Sequence, residues 1–178
     1  NINNDERFAM YSNNLTSTLN IVEASLAYGV KKIFHTSSLP VIGKILELPV
    51  TEEHPTTPPT AYHLSKLQSE QIVEHYCKGK VDFINMRIPS PVRRNIPLRS
   101  IFPIFLEKIK NNETVTLTGD SSRKQNFLDI RDLASFIYKA SLIDGVSGLF
   151  NVAAEKPYSN LELAGTIISR VASNSIIV

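Results

Sequence analysis

Two short apolar runs, "KKIFHTSS" and "VDFINMRI", each follow a segment with helical periodicity. This alternation constrains the fold more than any other feature of the chain. Leu15, Leu19, Val22 and Leu26 recur at helical spacing, and Gly29 follows as a stop signal, which predicts a helix over residues 10–27. "KKIFHTSS" then predicts a buried strand over about residues 31–37. Residues 39–59 hold several prolines and no period, and read as a long loop. Beyond them Leu64, Leu67, Ile72 and Val73 give a second helix an apolar face, and Gly79 marks its end. A strand from "VDFINMRI" follows. Helix, strand, helix, strand in this order is the pattern of an α/β protein with a parallel sheet.

The composition shifts at "PSPVRRNIP", which suggests a crossing into a second region near residues 89–97. In that region "SIFPIFLEKIKN" and "IRDLASFIYKASLI" predict helices, and "ETVTLTG" and "GLFNVAA" predict strands. "SNLE" at 159–162 is a capping box that opens a last helix. No internal repeat or low-complexity tract stands out.

Bulk properties narrow the function classes. With 178 residues the chain can bury a sizeable core. Its net charge of +2 is small and its basic residues are scattered, so nothing points to a nucleic-acid partner. Cys77 is the only cysteine, which excludes an internal disulfide and a multi-cysteine zinc site. A reducing compartment, the cytoplasm, is the simplest expectation. No apolar run approaches the length of a membrane span, and no signal peptide is apparent. "NINNDERF" reads like the interior of a longer protein.

The chemistry concentrates in "TPPTAYHLSKLQSE". Tyr62 and Lys66 stand four residues apart at the start of the second predicted helix, on one face. With 6 Tyr and 11 Lys in the chain, chance alone gives such a pair in about one chain of three, so the spacing needs support from elsewhere. Parallel α/β sheets place reactive groups at the carboxyl ends of their strands, and Thr36, Ser37 and Ser38 end the first strand. A phenol ordinarily titrates near pH 10. A neighbouring ammonium favours phenolate, so Lys66 is expected to draw the Tyr62 pKa downward. A hydroxyl, a phenol and an ammonium together suit proton removal from an alcohol while hydride leaves its carbon. His35, inside the strand, and His63, turned about 100° from Tyr62 on the helix, read as structural, and Cys77 as packing.

Six segments in order resemble the NAD-dependent epimerases and dehydratases, the extended short-chain dehydrogenase/reductases. "NNLTSTLNIVEAS" resembles the family's N-V-x-G-T-x-N-L-L-E-A helix, and "KKIFHTSSLPVIG" its strand ending S-S-x-x-V-Y-G. "TPPTAYHLSKLQSE" resembles P-x-S-x-Y-x-x-S-K-x-x-x-E, and "MRIPSPV" is similar to R-x-x-x-V-Y-G-P. "GDSSRKQNFLDIRDLA" resembles G-x-G-x-x-x-R-D-F-x-x-V-x-D-x-A, and "GLFNVAAEKPYSNLELA" resembles Y-N-V-G-x-x-x-x-x-S-x-x-E-L-A.

The resemblance implies the second half of a Rossmann-type parallel sheet plus a smaller α/β substrate-binding region. Residues 1–92 would be the C-terminal part of the NAD-binding domain, and residues 93–178 the substrate region, part of which returns to the sheet. Tyr62 matches the catalytic base or acid, and Lys66 the lysine that binds the nicotinamide ribose. Ser38, five residues before Gly43, matches the catalytic hydroxyl, and Asn14 the helix asparagine that supports the site. Ser37, Pro89, Ser90 and Pro91 are implied neighbours of the cofactor. Gln125 stands where the family carries a phosphate-binding Arg, and Arg123 and Lys124 are near enough to substitute.

The chain holds no G-x-x-G-x-x-G, and the resemblance implies about a hundred further residues ahead of Asn1, where the family carries its first βαβ units. The residue that reads the ribose lies among them, so NAD is expected with NADP as the alternative. The implied activity is nucleotide-sugar epimerisation through a transient keto sugar. Leu39 and Pro40 stand where the family's dehydratases carry a carboxylate, which favours an epimerase, or a keto-sugar reductase, over a dehydratase. A reading of another class is a non-catalytic fragment or degenerate binding domain. Missing strands would leave an open sheet edge and an uncovered apolar face, so a homodimer is expected.

Overall fold

The computed structural model describes residues 4–93, 100–119 and 123–178. The chain divides into two compact units. One comprises Asn1–Pro89 and Leu133–Val152, the other Ser90–Asp132 and Ala153–Val178. The residues between Arg93 and Ser100, which include most of "VRRNIP", and residues 120–122 lie outside the described residues.

The first unit is built on three parallel strands in the order β1 (Lys32–Ser38), β2 (Asp82–Ile88) and β6 (Gly148–Asn151). Helices α1 (Asn4–Ala27) and α2 (Ala61–Cys77) precede β1 and β2 and pack on each other. Helix α1 begins earlier than its apolar period suggests; Asp5 and Glu6 in its first turn suit the positive end of the helix dipole. Buried Val22, Ile33, Val73, Cys77 and Phe83 join α1, β1, α2 and β2 into one core. Burying a side chain of this size contributes about 1.5–3 kcal/mol. Cys77 is wholly buried in this cluster, and burial pushes its thiol pKa up, as a packing role requires. Between the helices, Asn14 Nδ2 donates to Ser65 Oγ at 2.9 Å and Thr18 Oγ1 to Ser69 Oγ at 3.1 Å. Ser65 and Ser69 are small and fully buried, which lets the two helices approach closely.

The loop expected at residues 39–59 is present, opening with a single 3₁₀ turn at Leu39–Ile42. It is tied at several points. Leu46 N donates to His54 Nε2 at 3.0 Å, and His54 Nδ1 lies 2.8 Å from Pro55 O, so the buried ring staples the loop to itself. Glu52 accepts from Asn151 N at 2.7 Å, and Asn151 Nδ2 donates to Val50 O at 3.2 Å. Gly43, with φ +68°, follows the 3₁₀ turn. A Cβ there would overlap the hydroxyl and carbonyl oxygens of Thr57 and stand 3.1 Å from its carbonyl carbon. Gly43→Ala is therefore expected to lower stability by about 2–4 kcal/mol, through the left-handed backbone and the displaced Thr57 together. Urea unfolding of the two proteins measures this; equal midpoints would contradict it.

In the second unit, β3 (Ser90–Val92) pairs in parallel with β5 (Phe127–Asp129), and β4 (Lys124–Gln125) antiparallel with β7 (Tyr158–Ser159). Helices α3 (Ile101–Lys110) and α5 (Asn160–Val171) share a core of Phe105, Ile109, Val115, Leu163, Ala164 and Ile167. Helix α4 (Ile130–Ser141) leads from this unit back to the first. The capping box at α5 is formed in both directions, Glu162 N to Ser159 Oγ at 3.1 Å and Ser159 N to Glu162 Oε2 at 2.8 Å. The strand expected in "ETVTLTG" is not formed. Val115 makes a lone bridge to Ile177, with Val115 N bonded to Ile176 O at 2.9 Å, because its partner is the chain end rather than a strand of a sheet.

Candidate active site

Helix α2 starts where its sequence directs. Pro58 and Pro59 stand just before it, and Thr60, itself extended at φ −141° and ψ 163°, caps the helix by accepting from His63 N at 3.3 Å. Tyr62 and Lys66 then stand one turn apart, with the Lys66 ammonium 6.0 Å from the centre of the Tyr62 ring. Lys66 Nζ donates to Thr36 O at 3.0 Å, which fixes the lysine at the carboxyl end of β1. The expected lowering of the Tyr62 pKa is not found. Burial pushes the phenol above its ordinary value and pushes the Lys66 ammonium below its own. The cause is partial desolvation of both groups, and Lys66 spends its nearest contact on a carbonyl rather than on the phenol oxygen.

Asn14 reaches this helix from α1. Its bond to Ser65 continues as Ser65 Oγ to Tyr62 O at 2.8 Å, so Asn14 acts on the backbone of Tyr62 through one hydroxyl. Asn14, Thr18, His35, Thr36 and Lys66 line a cavity of about 190 Å³ beside β1. A larger concavity of about 1100 Å³ lies at the opposite, amino ends of the strands, among Gly29, Lys31, Val81, Asp82 and Gly148, and holds none of the candidate residues.

The hydroxyls that end β1 take different surroundings. Ser37 is buried, and its hydroxyl donates to Glu70 Oε1. Ser38 is half-buried at the start of the 3₁₀ turn. Among the described residues, neither the Ser38 hydroxyl nor the Tyr62 hydroxyl has a hydrogen-bond partner. His35 Nδ1 lies 2.9 Å from Asn85 Oδ1, and burial lowers its pKa, which accords with a neutral structural ring. His63 contacts Tyr62 after all, edge to face at 5.2 Å between ring centres, while its Nδ1 lies 2.8 Å from Thr60 Oγ1.

Sequence reasoning missed a buried polar cluster behind these residues. Glu70, two turns beyond Tyr62, accepts from Arg87 Nη2 at 2.8 Å and from Arg87 Nε at 3.0 Å. Both side chains are almost entirely buried. The E of Y-x-x-S-K-x-x-x-E and the R of "MRIPSPV" were visible, but nothing in the sequence says that they meet.

In the second unit, Gln125 Nε2 donates to the hydroxyl of Ser90. Arg123 and Lys124 are exposed and make no ion pair among the described residues. Asn126 pins the same segment through Ala154, accepting from its N at 2.9 Å. Pro89, at the end of the first unit, is buried, and Pro91 is exposed.

The chain is similar to several known proteins. The UDP-glucose 4-epimerase of Erwinia amylovora is 31% identical over 180 residues, covering 86% of this chain and 52% of the relative. The dTDP-4-dehydro-6-deoxyglucose reductase of Escherichia coli is 28% identical over 153 residues, covering 83% of this chain and 48% of the relative. The chain thus spans about half the length of the curated relatives it matches. The crystal structure of UDP-N-acetylglucosamine 4-epimerase from Bacillus cereus superimposes with a TM-score of 0.83 at 26% identity, over 90% of this chain and 58% of that one. The parallel sheet and its helices belong to a Rossmann-type fold. The model of the NAD dependent epimerase/dehydratase family matches residues 1–153, and the chain belongs to that family.

Proposed function

We propose that the protein is an NAD-dependent nucleotide-sugar epimerase in which Tyr62 moves the proton of a sugar hydroxyl. The observation that carries this reading is the arrangement at the end of β1. Lys66 is held there by the Thr36 carbonyl, next to a Tyr62 whose hydroxyl is left open. The residues present suit the nicotinamide end of a dinucleotide. The Lys66 ammonium can donate to a ribose diol without leaving Thr36, since an ammonium carries three donors. Bound NAD would supply a hydride acceptor and, when oxidised, a fixed positive charge.

Burial pushes the Tyr62 phenol above its ordinary value, so added positive charge beside it would favour phenolate. Lys66 at 6.0 Å shares the task of favouring phenolate once the site is filled. Ser38 would hold the substrate oxygen on which Tyr62 acts, and Asn14 would fix the helix turn that carries Tyr62. Arg123 and Lys124 would meet the substrate diphosphate, with Gln125 ordering the segment through Ser90. Leu39 and Pro40 follow Ser38 and carry no acid for elimination at the neighbouring carbon.

The test is incubation with UDP-glucose and NAD, followed by proton NMR of the sugar. The expected product is the C4 epimer with no net formation of NADH. Stoichiometric consumption of NADH with a keto sugar would instead assign a reductase, which the similarity to the E. coli enzyme favours. A 6-deoxy-4-keto product would assign a dehydratase and contradict the reading of Leu39 and Pro40.

A further inference from the structure

The Glu70 carboxylate stands where three elements meet, and the chemistry above gives it no task. It lies on α2 at the third position of the series Tyr62, Lys66, Glu70, so all three share one helix face. Its Oε1 accepts from the Ser37 hydroxyl on β1 and from Arg87 Nε on β2. Its Oε2 accepts from Arg87 Nη2. Its backbone carbonyl accepts from Asn85 Nδ2 at 3.1 Å, and Asn85 Oδ1 in turn meets His35 of β1. Ser37 and Arg87 are register partners in the sheet, as are His35 and Asn85, so Glu70 closes over two rungs of one strand pair, on either side of the Thr36–Met86 rung. Arg87 Nη1 also reaches Glu52 O in the loop, at 3.5 Å.

We propose that Glu70 is a positioning residue for Lys66 and Tyr62. Its grip on Ser37 sets the distance between α2 and the end of β1, where Lys66 takes the Thr36 carbonyl. Thr36 and Ser37 are adjacent in the strand, so a shift of Ser37 moves the oxygen that anchors Lys66. The further bond, from Ser37, ties α2 to the end of β1 one turn beyond Lys66. On this view Ser37 serves through Glu70 rather than as a contact of the cofactor. The inference rests on the epimerase reading for its kinetic arm only.

The variant that isolates the constraint is Ser37→Ala, which leaves the Glu70–Arg87 pair in place. In the full-length protein it is expected to stay folded and to lose about tenfold in kcat, with KM for the nucleotide sugar and affinity for NAD within about twofold of wild type. Glu70→Gln is expected to show the same split with a larger loss of stability. A kcat within about twofold of wild type in folded Ser37→Ala would overturn the proposal. So would NAD affinity falling in step with kcat, which would return Ser37 to the cofactor. Amide hydrogen exchange decides the matter without turnover. Exchange at the first turns of α2, around Tyr62 and Lys66, should quicken in Ser37→Ala while the rest of the unit is unchanged. Unaltered or uniformly quickened exchange overturns the proposal. If wild type turns over no sugar, the reading of function fails, and the exchange result still stands or falls by itself.

Discussion

Tyr62→Phe is expected to lower turnover by about 10²–10⁴-fold while the cofactor remains bound. The substitution removes one oxygen and keeps the ring that packs edge to face on His63. The Tyr62 hydroxyl has no partner among the described residues, so its loss strands no buried group and costs the fold little. Lys66 keeps its bond to Thr36 O and with it the position from which it would meet the ribose. The whole effect should therefore fall on kcat. Steady-state kinetics, with cofactor content measured alongside, checks both halves. Turnover within about threefold of wild type would remove Tyr62 from the proton-transfer role. Loss of cofactor together with turnover would mean that the phenol mainly binds.

The second large effect is on stability. Arg87→Met should destabilise the protein by about 3–5 kcal/mol, because it leaves the Glu70 carboxylate buried without its cation. The loss is the cost of an orphaned charge, not the net worth of the pair. Exchanging Glu70 for Leu in the same protein should then recover much of it. Lys78→Met is the control. Lys78 and Glu74 also form an ion pair on α2, at 3.3 Å, but both side chains lie largely in water. Such pairs contribute about 0–1 kcal/mol, so that variant should be nearly neutral. Denaturant unfolding of the three proteins measures the contrast. A neutral Arg87→Met would show that water or rearranged neighbours solvate Glu70.

Much of the first unit was legible in the sequence because it depends on local signals. The prolines and Thr60 start α2, Gly29 ends the first helix, and two apolar runs form β1 and β2. The capping box of α5 needs only residues 159–162. The short strands β3, β4, β5 and β7 were not read, since two or three residues carry no period. Val115 alternates with polar residues as a strand should, yet pairs with the chain end. Sequence cannot name a partner that far away.

At the candidate site, the placing of Tyr62 and Lys66 on one helix face was readable and their ionisation was not. The direction of the Tyr62 shift depends on how much solvent the phenol loses and on where the Lys66 ammonium goes. The clasp of Glu70 on Ser37 and Arg87 was hidden for a related reason. Its members are spread over β1, α2 and β2, and only the sheet register brings them side by side.

The loop leading into α2 has its tightest tie to the latest part of its unit. Glu52 is secured by the backbone N–H of Asn151, which lies 99 residues further along the chain. A ribosome adding about 5–20 residues per second needs roughly 5–20 s to cover that distance, and longer for Asn151 to clear the exit tunnel. For the later part of that interval, once residue 88 has been added, β1, α2 and β2 are complete while the segment before Tyr62 still lacks its anchor on β6. The nascent chain would thus present proline-rich, half-fastened polypeptide to chaperones and proteases until the last strand of the sheet arrives. Arrest of translation before residue 151 should leave that segment open to cleavage, and release a few residues later should close it.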